Sequence, residues 1–103
     1  APRGGQVDEL LEEIAYHAPD PWARLGAAEG LLTRKNPLGV EPLIDLMDSD
    51  APVFLKAQAV DGLRQGTHAD FGYDAQDTVE AQGQAIAAWR AWWEANKTQP
   101  LPE

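Results

Sequence analysis

Residues 22–31, WARLGAAEGL, and residues 54–63, FLKAQAVDGL, are two versions of one segment, and together they decide the fold. They align after a shift of 32 positions, which brings residues of the same kind together. The matching pairs are Trp22 with Phe54, Arg24 with Lys56, Ala27 with Ala59, Glu29 with Asp61, Gly30 with Gly62 and Leu31 with Leu63. A repeat of this period is typical of stacked helical units, so the sequence predicts a repeat architecture.

Each copy of the repeat reads as two helices with a short break between them. In the first copy we expect a helix over residues 7–17, with Leu10, Leu11 and Ile14 on its apolar face. Asp20 is placed to cap a second helix that starts at Pro21. The apolar stripe of that second helix comprises Leu25, Ala28, Leu31 and Leu32. The second copy predicts helices over residues 39–47 and 53–64, around a break at residues 48–52.

The pattern changes after the second copy. A loop follows, and we expect its Phe71 to pack beneath the last helix. Asp77 and Glu80 match a capping box, which predicts a fifth helix over residues 78–96. Its broad apolar face comprises Ala85, Ile86, Trp89, Trp92 and Trp93. The predicted organisation is a flexible segment 1–6, repeat one 7–36, repeat two 37–66, an aromatic loop with a capping helix 67–97, and a frayed or extended tail 98–103.

Composition supports an all-α domain and excludes several classes of function. Seventeen alanines stand against five valines and three isoleucines, a balance that favours helices over sheets. A net charge of -9 disfavours binding to nucleic acids and to anionic membrane surfaces. No run of residues is apolar enough for membrane insertion. The absence of cysteine excludes disulfides and thiolate zinc sites. The compartment stays open, because a protein without cysteine can be cytoplasmic or can be exported to the periplasm after removal of a targeting segment.

The repeat carries a family resemblance. Residues 39–48, GVEPLIDLMD, followed by Asp50, Lys56 and Leu63, resemble the HEAT-like repeat of the phycobilisome-lyase type. The resemblance covers residues 7–66, and the segment from Asp70 to Trp93 is similar to the one that closes many bacterial HEAT-like proteins. It implies a short α-solenoid that binds other proteins, with chromophore-lyase activity confined to a minority of members.

The same resemblance implies a polar ladder between successive repeats, built from an aspartate six residues before an arginine. Asp50 and Lys56 have this spacing, although lysine replaces arginine. In the first copy Arg24 is present, but Ala18 holds the acidic place and Asp20 is the only substitute nearby. We therefore expect an incomplete ladder.

Other residue patterns resemble catalytic or metal-binding sites, but each has a simpler structural explanation. Residues 70–72, DFG, match the magnesium triplet of protein kinases, but the chain lacks the other kinase motifs. The carboxylates of Asp70, Asp74 and Asp77 could face a calcium ion, although capping and an Asx turn account for the last two. His17 and His68 lack a serine or histidine partner at catalytic or metal-binding spacing. We predict no catalytic, cofactor or metal site.

The sequence favours a non-catalytic scaffold or accessory subunit that binds another protein or a multi-subunit complex. Interfaces are enriched in tryptophan and arginine. The predicted contact residues are Trp22, Arg24, Lys56, Arg90 and Trp92. Two alternatives stay open: a lyase-like enzyme acting on a bound tetrapyrrole, and a small-molecule or sugar binder that uses the C-terminal tryptophans.

Overall fold

A computed structural model describes residues 3–98 and Leu101, with side chains from residue 7. Every regular element in that part of the chain is helical, which confirms the all-α prediction. The elements are α1 (Arg3–His17), α2 (Pro21–Thr33), a 3-10 turn (Pro37–Gly39), α3 (Val40–Met47), α4 (Val53–Thr67) and α5 (Val79–Asn96). The predicted breaks after α1, α2, α3 and α4 are all present.

The helix bounds differ most from the prediction at the start of α1 and at the end of α4, whereas α3 and α5 each begin one residue later than predicted. Helix α1 begins at Arg3, four residues before the predicted start at residue 7, while residues 1 and 2 lie outside the described part. Helix α4 continues to Thr67, whose hydroxyl donates to the Leu63 carbonyl at 2.6 Å. In the tail, Leu101 is only 7% exposed and belongs to the core, while residues 99, 100, 102 and 103 lie outside the described part.

Side chains cap two of the long helices at their N-termini. The Asp20 carboxylate accepts a hydrogen bond from the Trp22 amide at 3.1 Å, which confirms the predicted cap of α2. The predicted capping box of α5 is wrong by one residue, because the cap is Thr78, whose hydroxyl accepts from the Ala81 amide at 3.1 Å. Asp77 accepts instead from the amide of Thr78 at 2.8 Å.

Equivalent glycines mark the contact between the two helices of each hairpin. A Cβ atom placed on Gly30 of α2 would lie 3.4 Å from Leu11 Cδ1 of α1. A Cβ atom placed on Gly62 of α4 would likewise lie 3.4 Å from Leu43 Cδ1 of α3. The two contacts are related by the same shift of 32 positions that relates the sequences. The sequence repeat is therefore also a repeat of packing contacts.

The two hairpins meet through α2, which packs against both α3 and α4. Gly62 lies beside Glu29, and Gly66 lies beside Leu32, so the C-terminal halves of α2 and α4 run side by side in the same direction. Helix α5 packs on α3. The largest fully buried side chains include Trp89, Leu25, Leu31, Leu43, Leu55 and Leu63.

The apolar face predicted for α1 is only partly correct. Leu11 is half-buried and Ala15 is 2% exposed, so these residues face α2. Leu10 is 67% exposed and Ile14 is 40% exposed, because they lie on another side of the helix. The apolar stripe predicted for α2 is confirmed, since Leu25, Ala28, Leu31 and Leu32 are all buried.

Gly39 marks the closest approach between the two hairpins. A Cβ atom at this position would lie 2.5 Å from the carbonyl oxygen of Ala28 and 3.0 Å from Leu31 Cβ, both on α2. The Ala28 oxygen is a backbone atom of a helix and cannot move aside without bending α2. The Gly39→Ala substitution should therefore destabilise the fold by about 1–3 kcal/mol, the usual cost of overpacking. Urea unfolding followed by circular dichroism measures this loss.

Gly26→Ala is the matched control. Gly26 lies within α2, and a Cβ atom placed there would have no neighbouring atom within 4 Å. Alanine should leave stability unchanged or raise it by about 0.5–1 kcal/mol, because glycine is a poor helix former. Equal effects of the two substitutions would contradict the close approach at Gly39.

Candidate partner-binding surface

Two large aromatic side chains project from the beginnings of α2 and α4. Trp22 is the second residue of α2 and is 48% exposed, and Phe54 is the second residue of α4 and is 83% exposed. We call these two residues the aromatic pair. Because α2 and α4 run in the same direction, both members lie at the same end of the packed helices. Single exposed apolar residues are common, but exposure of both repeat-related aromatics is not required by the fold.

A cationic residue follows each member of the aromatic pair by two positions. Arg24 and Lys56 are both half-buried, and neither takes part in an ion pair within the described chain. The Nε atom of Arg24 is buried and has no hydrogen-bond partner there. Neither rung of the polar ladder is formed among the described residues, because Lys56 does not pair with Asp50, and Asp20 binds the Trp22 amide rather than Arg24.

The groove beside Phe54 extends this end of the molecule. It measures about 450 Å³ and is lined by Val53, Phe54 and Ala57 of α4 and by residues 74–76 of the loop before α5. Sequence reasoning did not select Phe54 as a contact residue. The repeat alignment with Trp22 was the signal that could have identified it.

Arg90 holds α5 against α3. Its Nη1 and Nη2 atoms each lie 3.1 Å from a carboxylate oxygen, of Asp45 and Asp48 respectively. Burial acts to lower the pKa of Arg90, but the hydrogen bonds to Asp48 and Asp45 outweigh it and hold that pKa above its ordinary value. The structure thus gives Arg90 a partner within the chain.

The C-terminal tryptophans are mostly core residues, as expected. Trp89 is 0% exposed and Trp93 is 6% exposed, whereas Trp92 is half-buried at the margin of the face. The Phe71 ring meets Trp89 edge-on, with centroids 4.7 Å apart, which confirms that Phe71 packs beneath the last helix. Trp92 also meets Trp89 edge-on, at 6.1 Å.

The predicted contact residues therefore fall into two groups. Trp22, Arg24 and Lys56 lie in the first turns of α2 and α4, which pack on each other. Arg90 and Trp92 lie on α5, which packs on α3. We name the N-terminal turns of α2 and α4, with the aromatic pair and the two cations, the second-helix surface.

The acidic loop before α5 uses its carboxylates to fold itself. Asp70 accepts hydrogen bonds from the Gly72 amide and from Arg64 Nε, both at 3.0 Å, and these bonds hold the pKa of Asp70 below its ordinary value. Asp74 accepts from the Gln76 amide at 2.9 Å, which confirms the predicted Asx turn. Among the described residues, no three histidine, aspartate or glutamate side chains are grouped so that they could hold a metal ion.

Both histidines lie at the ends of helices. His17 is the last residue of α1, as predicted, and it is exposed. His68 follows α4 with a φ of 59°, a left-handed conformation that ends the helix.

An acidic groove of about 510 Å³ lies between α1 and the 3-10 turn. Its lining residues are Glu9, Glu12, Glu13, Tyr16, His17 and Leu38. The Tyr16 hydroxyl donates a hydrogen bond to the Leu38 carbonyl at 2.9 Å. Burial, followed by the negative charges of Glu41, Glu12 and Asp45, raises the pKa of Tyr16 from 10.0 to about 12.

No family model, curated protein or solved structure matches this chain. Within the described residues, none of the helices combines the length and the hydrophobicity that crossing a lipid bilayer requires.

Replacing Arg90 tests its role as a link between α5 and α3. Arg90→Ala should lower the free energy of unfolding by about 1 kcal/mol, because surface ion pairs contribute roughly 0–1 kcal/mol each and two are lost. The loss should shrink in 1 M salt, which screens exposed charges. Lys97→Ala is the control, because the ion pair between Lys97 and Glu94 joins residues three positions apart and does not link α5 to α3. A loss that is the same at low and high salt would contradict the ionic role.

Because of Tyr16, the free energy of unfolding should fall as the pH becomes strongly alkaline. Its pKa is raised in the folded state, so its contribution is present below pH 10.0 and is lost as the pH rises toward about 12. Tyr16→Phe should be less stable at pH 7 by about 1 kcal/mol, the value of one hydrogen bond, and the difference should narrow above pH 10.

Absorbance titration reads the same group directly. The chain has two tyrosines, so in Tyr73→Phe the phenolate signal belongs to Tyr16 alone. That signal should rise at about pH 12. A midpoint at the ordinary value for tyrosine would show that Tyr16 is not held as described.

Proposed function

We propose that this chain is a non-catalytic protein-interaction module, a scaffold or accessory subunit, which binds another protein through the second-helix surface. The observation that carries this proposal is the aromatic pair: Trp22 and Phe54 are exposed at equivalent positions of two helices that lie side by side. The proposed architecture is a short α-solenoid of the HEAT-like type.

Repeated packing supports the solenoid. The contacts of Gly30 with Leu11 and of Gly62 with Leu43 place each pair of helices in the same relation. Repeat proteins bury a continuous core by stacking such hairpins, and two hairpins alone provide little core. In this proposal α5 closes the second hairpin with its indole rings.

The chemistry of the second-helix surface supports a protein partner. Tryptophan and arginine are enriched among the residues that dominate interface energetics, and phenylalanine is enriched at interfaces. Arg24 and Lys56 supply positive charge beside the two rings, and no carboxylate of the described chain forms an ion pair with them. The groove beside Phe54 offers space for an apolar side chain of the partner.

Burial of the C-terminal indoles weakens the alternative of a sugar-binding platform. Stacking on a sugar requires an accessible ring face. Trp89 and Trp93 are buried, and Trp92 turns part of its surface toward Trp89. This alternative would therefore rest on Trp92 and on Trp22, which are on different helices.

Loss of the aromatic pair should abolish partner binding without unfolding the chain. The double variant Trp22→Ser/Phe54→Ser should retain its helical circular dichroism, because Trp22 is 48% and Phe54 is 83% exposed and neither belongs to the buried core. Affinity capture from an extract of the source cells, with quantitative mass spectrometry, should identify a protein that the parent chain retains and the double variant loses at least tenfold.

Val79→Ser is the matched control for that experiment. Val79 is 86% exposed on α5 and belongs neither to the second-helix surface nor to the lining of the groove beside Phe54, so its replacement should leave partner retention unchanged. Retention of the same proteins by the parent and by the double variant would refute the proposal.

A further inference from the structure

One side of α1 carries a second exposed apolar surface. Val7, Leu10 and Ile14 are 42%, 67% and 40% exposed, respectively. Their spacing of three and then four residues places them on one side of the helix. We name these three residues the outer stripe.

The second hairpin shows what covers this side of the helix. A shift of 32 positions relates Val7, Leu10 and Ile14 to Gly39, Pro42 and Leu46. Unlike the outer stripe, all three related residues are buried.

The covering element is a helix. Gly39, the counterpart of Val7, lies against Ala28, Leu31 and Leu32 of α2. Pro42 and Leu46 lie on α3, whose packing neighbours are the helices α2, α4 and α5. The counterpart of the outer stripe is therefore covered by helices, whereas the outer stripe itself stays exposed in the described chain. By this internal comparison, the occupant that fits the outer stripe is a helix with an apolar face.

A second copy of the chain is a poor candidate for that helix. In α4 the counterpart of Leu32 is Arg64, which donates to the Tyr73 carbonyl at 2.7 Å and to Asp70 at 3.0 Å. The loop that contains Tyr73 thus covers the side of α4 on which the outer stripe of another copy would have to stack. Head-to-tail association is blocked by the chain itself.

The negative charge of α1 indicates which kind of partner helix fits the outer stripe. Helix α1 carries Asp8, Glu9, Glu12 and Glu13, and of these Asp8 is bound to Arg34. Glu9 and Glu13 are exposed. Two α1 helices packed face to face would bring their carboxylates together, and like charges disfavour such an interface. A helix with lysine or arginine beside its apolar face would instead be attracted.

We propose that the outer stripe is a docking site for an amphipathic helix of a partner protein that carries basic residues beside its apolar face. This helix-in-groove mode uses apolar anchors at helical spacing for affinity and charge for orientation. The proposal does not depend on the second-helix surface, because the two sites are on different helices.

A synthetic peptide tests the docking site. The probe is an amphipathic helix of about five turns with leucine and alanine on one face and lysine beside it. We titrate it into the uniformly ¹⁵N-labelled chain and follow backbone amide shifts. The lysine peptide should shift the amide signals of α1. Its affinity should fall as the salt concentration is raised from 0.05 to 0.5 M, because the Debye screening length then falls from about 14 Å to about 4 Å.

Two further peptides and two variants make the result specific. A peptide with glutamate in place of lysine, and a peptide of the same composition with scrambled order, should bind at least tenfold more weakly. Leu10→Ser/Ile14→Ser should weaken the lysine peptide at least tenfold with unchanged helicity, whereas the Trp22→Ser/Phe54→Ser variant should bind it like the parent.

Three results would overturn the docking site: shifts that map away from α1, equal binding of the scrambled peptide, or no binding of the lysine peptide. Sedimentation equilibrium of the chain alone provides a fourth. A dimer that Leu10→Ser dissociates would show that the outer stripe binds a second copy and not a basic partner helix.

Discussion

The close approach of Gly39 to α2 is the constraint on which the structure depends. A Cβ atom at this position would lie 2.5 Å from the Ala28 carbonyl oxygen, so the position requires a residue without a side chain. Packing at this distance joins the two hairpins and lets α2 contact both helices of the second one. A larger residue at Gly39 would push the hairpins apart and expose the core that Leu31 and Leu43 now fill.

The two ends of the molecule are finished differently. At the C-terminal end, Arg64 binds the loop that follows α4, Phe71 packs on Trp89, and Arg90 ties α5 to α3. At the N-terminal end, α1 packs on α2 and the 3-10 turn, and apolar side chains remain on its outer side. The two ends of the molecule therefore differ: side chains of the loop and of α5 cover one end, whereas apolar side chains of α1 stay exposed at the other.

Much of the fold could be predicted because helix signals are local. Asp20 and Pro21 mark the start of α2, and the spacing of its leucines identifies the buried side. The buried side of α1 was harder to predict, because Leu10, Leu11 and Ile14 are all apolar and the sequence does not state which neighbour the helix will have. The cap of α5 was misplaced because Asp77 and Thr78 are both good capping residues.

The candidate site was less predictable for the same reason. The place of Trp22, Arg24 and Lys56 in the repeat makes them predictable, and Phe54 has the equivalent place. The sequence shows Arg90 only as a neighbour of Trp92, but its role depends on Asp45 and Asp48, which are more than 40 residues away in the chain. Only the packing of α5 on α3 brings these groups together.

The glycine–leucine contacts also bear on how the chain folds. Each joins residues only nineteen positions apart, from 11 to 30 and from 43 to 62. Loops of this length close at little entropic cost, and proteins rich in such local contacts fold fast. During synthesis the first hairpin can collapse before the second has left the ribosome, and the buried rings of Trp89 and Trp93 on α5 join the core afterwards.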